Sequence, residues 1–365
     1  MRGKPGRFVI DTHVHGQRHA VNFEADTGEA NYGSLAGEMR TAVPADEADE
    51  TDEAIVYKNT DRLTYDMDAY GVDRCLLLPG FGMSNRLNRE MVEEHPDRFK
   101  AVAAPVQTMK KAIRGDEEYS YDAACQELDE LLSQDAFVGI GEGLPCDPTV
   151  TEHVPWSRRI DQIRKVFDVA AKHDVPVSWH AGRATGYSGS GSTEGGSFPQ
   201  YYPDWKDLTL VSELAAEYPD VSIVLNHGGM QGGWREDTVD TVCKVAARHD
   251  NVYFEIGLYW ADLLKKPMDD PSIDLSQLLW GTDWGASIVA HSQPAKDPPI
   301  YWDQISERGL PAHQPDYWGT SLRQIEKYTW DEELPQDELN QILGGNACDL
   351  YGFEPPESRL FPEYL

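Results

Sequence analysis

The 365-residue chain has no stretch approaching eighteen consecutive apolar residues, the length a helix needs to cross a hydrocarbon layer, so no membrane span is expected. Its opening, MRGKPGRFVID, has basic residues but no apolar segment of the secretory kind, and no signal peptide is expected. Cysteine is scarce and unpatterned: Cys75, Cys125, Cys146, Cys243 and Cys348 include no CxxC pair. An odd, scattered set reads as free thiols in a reducing compartment, which predicts a cytoplasmic protein. Positive charge is short as well. Lysine and arginine number 32 against 63 acidic residues, a net charge of −31, and only 13 of the 32 are lysine. Such a surface repels nucleic-acid phosphates and anionic membranes, so neither is expected as a partner. It also suits a protein that stays hydrated in concentrated salt, where like-charge repulsion is screened, so a halophilic source is expected.

What is present is a regular alternation. Short apolar or β-branched runs occur at 7–13, 73–79, 100–106, 137–143, 175–181, 221–227, 251–257 and 277–283, which makes eight candidate strands. Helix-like segments follow several of them, among them NREMVEEH, YDAACQELDELLSQ, RRIDQIRKVFDVAAKH, LTLVSELAAEYP and VDTVCKVAARH. Near-continuous apolar strands are what a parallel sheet covered on both faces requires. Eight such units predict an α/β fold, a (β/α)8 TIM barrel, as a single domain over 1–365. Two long connections interrupt the pattern and are expected as insertions within the domain, at 16–59 after the first strand and at 284–331 after the eighth. The first contains ADEADETDEA, six acids in ten residues, read as a solvated surface segment. The Gly- and Ser-rich stretch GRATGYSGSGSTEGG lacks the lysine of a phosphate-binding loop and reads as a mobile flap.

In such a barrel the active site is built at the C-terminal ends of the strands. The first strand runs into DTHVHG, where a side-chain period of two turns His13 and His15 the same way, with Val14 away from them. Two converging imidazoles suit a transition metal, although a polar strand end meeting solvent is the plainer alternative. Other strands end in Glu142, His180, His227 and Asp283. Each alone reads equally well as a hydrogen-bonded strand terminus, but their joint placement at one end argues for a shared metal site. Arg183 is a candidate carboxylate clamp for a substrate; its alternative is a surface arginine paired with one of the many acids. Trp179 and Trp284 read mainly as packing against the surrounding helices.

The motifs DTHVHG, HPDRFKAVAAPV, HDVPVSWHAG, YPDVSIVLNHGG, LLWGTDWG and ILGGNACDLYGF resemble the amidohydrolase superfamily, and in particular the amidohydrolase-related (amidohydrolase 2) branch that includes aminocarboxymuconate-semialdehyde decarboxylase. The resemblance covers nearly the whole length. It implies that His13, His15, His180 and Asp283 bind one divalent metal ion, usually zinc, while His227 faces the substrate or the metal's water. Glu142 stands where other branches place a carboxylate that bridges two metals, so a binuclear site stays open. Its other role, and the preferred one, is to orient a ligand imidazole.

A zinc ion lowers the pKa of its water to about 7. With Asp283 accepting that water's proton and His227 polarising a carbonyl or protonating a leaving group, hydrolysis of a small amide, lactone or ester is the leading expectation. The same apparatus can protonate a ring or enamine carbon, so a non-oxidative decarboxylase of an aromatic or muconate-like acid is the alternative. A metal-binding protein without turnover is the third. The expected partner is a small-molecule substrate, with a homodimer left open.

Overall fold

The computed structural model describes residues 7–21, 48–50, 54–58, 60–79, 84–114, 116–142, 156–181, 206–229, 236–285 and 317–355. In chain order its strands are β1 (Ile10–Val14), β2 (Gln17–Val21), β3 (Ala48–Glu50), β4 (Ala54–Lys58), β5 (Arg74–Leu77), β6 (Phe99–Ala103), β7 (Phe137–Ile140), β8 (Val177–His180), β9 (Ile223–Asn226), β10 (Val252–Glu255) and β11 (Leu278–Leu279). Eight of them, β1 and β5 to β11, form one sheet in sequence order with every neighbouring pair parallel. Each falls inside one of the eight runs picked out by composition. They are short, and almost every residue in them is buried, because one face fills the interior and the other lies under helices.

The sheet closes where its first and last strands meet. Thr12 N donates to Trp280 O (3.0 Å), His15 N to Trp284 O (2.7 Å) and Trp284 N to His13 O (3.2 Å). The fold is therefore a (β/α)8 barrel. Its crossovers are carried by α1 (Thr60–Tyr70), α2 (Asn85–Glu94), α3 (Val106–Arg114), α4 (Tyr121–Leu132), α5 (Trp156–His173), α6 (Lys206–Glu217), α7 (Glu236–Ala246) and α8 (Ala261–Met268), with α9 (Tyr317–Glu332) after the last strand. Ile10, Leu76, Leu78, Val102, Val224 and Leu279 pack inside the barrel with Tyr351 and Phe353 from the C-terminal region. A larger cluster, including Leu63, Met67, Phe99, Leu128, Phe167, Leu214, Val242 and Trp318, joins the outer faces of the strands to the helices.

Asp11 secures the closure. It is fully buried and accepts hydrogen bonds from Thr282 N (3.0 Å), Thr282 Oγ1, His13 N (2.9 Å) and Trp318 Nε1, so one carboxylate ties β1 to the segment after β11 and to α9. Burial pushes its carboxyl up to about 7, although all four bonds favour the ionised form.

The stretch expected as the first insertion contributes β2, β3 and β4, a separate antiparallel sheet in the order β2–β4–β3. Ala48–Glu50, from the acidic run, pairs its main chain with β4. The buried Gln17 anchors this part to the barrel. Its side-chain nitrogen donates to Ser84 O and Asn88 Oδ1 (2.6 Å each), and its oxygen accepts from Ser84 N (2.8 Å).

Candidate metal centre

Strand β1 does not alternate simply. Asp11 pairs with Cys75 and Val14 with Leu77, so β1 spends three steps where β5 spends two, and the extra residue forms a bulge at Thr12–His13. Both of those side chains consequently reach the same partner, Glu255: Thr12 Oγ1 at 3.2 Å and His13 Nδ1 at 2.8 Å. Beyond the bulge the period of two resumes. His13 and His15 converge, with their Nε2 atoms 3.3 Å apart, while the fully buried Val14 joins the outer core. The other nitrogen of His15 donates to Leu78 O (3.0 Å), which turns its Nε2 toward the barrel mouth.

Glu142, just past β7, sets Oε2 at 3.3 Å from His13 Nε2 and 3.4 Å from His15 Nε2. Asp283 sets Oδ1 at 3.5 Å and 3.2 Å from the same two atoms. Donors bound to a tetrahedral ion at about 2.0–2.1 Å stand about 3.3–3.4 Å from one another. The measured separations match the edges of such a tetrahedron. On the other side, Glu142 Oε1 bonds to His180 Nδ1 and lies 3.4 Å from His227 Nε2, which is 3.6 Å from Asp283 Oδ2. Each of the triads His13–His15–Glu142, His13–His227–Asp283 and Glu142–His180–His227 brings its donor atoms within 4.8 Å. All six sequence-predicted residues of the cluster thus meet at one end of the barrel. Arg183 and the Gly/Ser-rich stretch lie outside the described residues.

The electrostatics agree with the distances. Burial opposes charge on His13 and His15, yet Glu255, Glu142 and Asp283 hold His13 well above the ordinary imidazole range, and Asp283 and Glu142 bring His15 to about 9. Burial also opposes ionisation of Glu142, but His180 and His13 hold its carboxyl well below the usual range. His227 goes the other way. Burial first, then the His180 and His13 rings, push it well down against Asp283 and Glu142. Its Nδ1 faces Ala181 O (3.4 Å), and its buried Nε2 has no hydrogen-bond partner among the described residues. The cluster therefore calls for positive charge, which protonated His13 and His15 supply here and a divalent cation at the same point supplies equally. The donor set, its spacing and its charge fit a metal ion.

His227 and Asp283 have left-handed backbones, φ +58° and +57°, which cost about 1–3 kcal/mol each and recur at functional sites. Residues 227–229 form a tight turn with three successive positive φ values, and Tyr259 closes it by donating to Gly228 O (2.7 Å). Trp179 and Trp284 are buried; Trp284 stacks on Trp318 with ring centroids 5.5 Å apart. Three groups around the site escaped the sequence reading: Glu255, Asp11 and Asn226. Glu255 stands at the end of NVYFEIG, so the strand-end rule that picked out Glu142 points to it as well. Nothing in the local pattern marks the other two.

A family model described as amidohydrolase matches residues 10–353. The chain belongs to the amidohydrolase family. No curated protein matches this amidohydrolase in sequence. Among solved structures it is similar to an amidohydrolase from Burkholderia multivorans (13% identity, TM-score 0.51, covering 95% of this chain and 100% of that one). It is similar too to a TatD-family hydrolase from Entamoeba histolytica (12% identity, TM-score 0.51, covering 96% and 100%). A 5-carboxyvanillate decarboxylase from Novosphingobium aromaticivorans, solved with manganese, gives 14% identity and a TM-score of 0.47 over 96% and 99% of the two chains. At these identities the likeness is one of fold. Among the described residues, no helix is long and apolar enough to cross a membrane.

Proposed function

We propose that this amidohydrolase is a metal-dependent hydrolase of a small amide, lactone or ester. The observation that carries the reading is the set of donor separations, 3.2–3.5 Å, among His13 Nε2, His15 Nε2, Glu142 Oε2 and Asp283 Oδ1. These four residues hold one divalent ion, with zinc favoured by the mixed imidazole and carboxylate set. Glu142 then serves as a ligand itself, and its second oxygen, with His180 and His227, offers room for a second ion.

Bound there, a divalent ion supplies Lewis acidity, which acidifies a water and polarises a carbonyl. The chain supplies the proton path. Asp283 Oδ2 accepts a proton and stands 3.6 Å from His227 Nε2, which is neutral and can carry that proton to a leaving nitrogen or oxygen. Burial of His13, Glu142, His227 and Asp283 excludes water from these groups, so their charges act at short range with little screening. Cys75, Cys125, Cys243 and Cys348 are free thiols, in keeping with a reducing, cytoplasmic setting.

Elemental analysis of the purified protein and of His13→Ala tests the ligand set, with about one zinc per chain expected in the parent and little in the variant. Turnover is then sought on lactones, esters and amides, and on hydroxybenzoates and muconate-like acids with carbon dioxide release as the signal. Carbon dioxide without hydrolysis identifies a decarboxylase; bound metal with no turnover on either panel points to a metal-binding protein.

A further inference from the structure

Glu255, the last residue of β10, is 1% exposed and takes no part in the proton path above. Its two oxygens are nevertheless engaged by three parts of the barrel. Oε1 accepts from Thr12 Oγ1 (3.2 Å), while Oε2 accepts from both His13 Nδ1 (2.8 Å) and the main-chain nitrogen of His227 (2.7 Å). The space for this carboxylate exists because residue 281 is glycine: a Cβ there would lie 2.4 Å from Glu255 Cδ. Asn226 adds a second group to the same point, its amide 3.3 Å from His13 Nδ1.

A carboxylate oxygen accepts and does not donate, so His13 must carry its proton on Nδ1. That leaves Nε2, the atom beside His15, Glu142 and Asp283, as the lone-pair nitrogen of the neutral ring. The same oxygen holds the His227 main-chain N–H at the start of its left-handed turn, so ligand and proton carrier are registered against one atom.

We infer that Glu255 is a positioning residue, which fixes the tautomer and ring plane of His13 for metal binding and, through the same oxygen, anchors the turn that carries His227. The inference rests on the metal reading proposed above. Groups that orient a ligand imidazole in this way typically contribute 10–100-fold to metal affinity.

The test is a zinc titration against a competing chelator on the full chain. Glu255→Gln keeps the shape but removes the charge, and it is expected to bind zinc about 10–100-fold more weakly. Tyr259→Phe, which loosens the same turn without touching His13, is expected to keep the parent's affinity. The cobalt-loaded Glu255→Gln protein should show displaced visible bands, which loss of stability alone does not produce. Unchanged zinc affinity in Glu255→Gln overturns the inference, as does an equal loss in Tyr259→Phe. A parent that takes up no zinc overturns the metal reading and this inference together. If Glu255→Gln fails to fold, spectra of the zinc-loaded parent labelled with nitrogen-15 histidine decide. A His13 ring protonated at Nδ1 supports the role, and one protonated at Nε2 overturns it.

Discussion

At the scale of single residues, His227 combines a chemical role with an uncomfortable backbone. Its φ of +58° is a region that asparagine tolerates and alanine does not, at a difference of about 1 kcal/mol. His227→Asn is therefore expected to fold and to keep zinc on His13, His15, Glu142 and Asp283 while turnover falls by about 10²–10⁴. His227→Ala should lose the same activity and a further ~1 kcal/mol of stability, which denaturant melts of the two variants will resolve. Release of one of two zinc ions by His227→Asn would instead make His227 a ligand of a second ion. The contrast between His13 and Glu255 shows how far single residues were legible. An HxH pair after an apolar run advertises itself, because its geometry follows from the strand period alone. The role of Glu255 depends on where Thr12, His13 and His227 arrive from elsewhere in the chain, and that is a property of the closed barrel.

At the scale of elements, the eight barrel strands were legible because burial on both faces leaves a run of apolar residues that few other structures need. The bulge in β1 was not. It exists only as a mismatch of register against β5, and neither strand encodes it separately. Helix α9 was hidden within a long interval, and its importance lies in Trp318, which reaches back to Asp11. The turn after β9 offers a sharper test. A Cβ on Gly228 would stand 2.3 Å from Glu255 O and 2.5 Å from the Tyr259 hydroxyl, on a residue that already has φ +54°. Gly228→Ala should destabilise by about 2–4 kcal/mol, from overpacking added to the left-handed penalty. Gly352→Ala, at φ +66° with nothing closer than Lys100 Nζ at 3.7 Å, should cost only about 1 kcal/mol. Chemical denaturation of both variants checks the difference. Equal losses would mean that the turn yields where its surroundings look rigid.

At the scale of the whole molecule, the net charge of −31 sets the response to salt. Self-repulsion acts over about 30 Å at 0.01 M monovalent salt and about 3 Å at 1 M. Surface pairs such as Arg164 with Glu217 and Asp161 weaken as salt rises, but exposed pairs contribute only about 0–1 kcal/mol each. The melting temperature is therefore expected to climb between those two concentrations. A fall would show that attractive pairs outweigh the net repulsion and would remove the ground for a halophilic origin. The seam that closes the barrel has a consequence in time. Asp11 and Thr282 are 271 positions apart, so a growing chain exposes His13 and His15 on an unpaired edge long before the carboxylate of Asp283 exists. At about 5–20 residues per second that delay lasts on the order of tens of seconds. A metal captured during it would rest on half a site, so loading belongs after synthesis, when the last strand has zipped against the first and the cage and the barrel are finished in the same step.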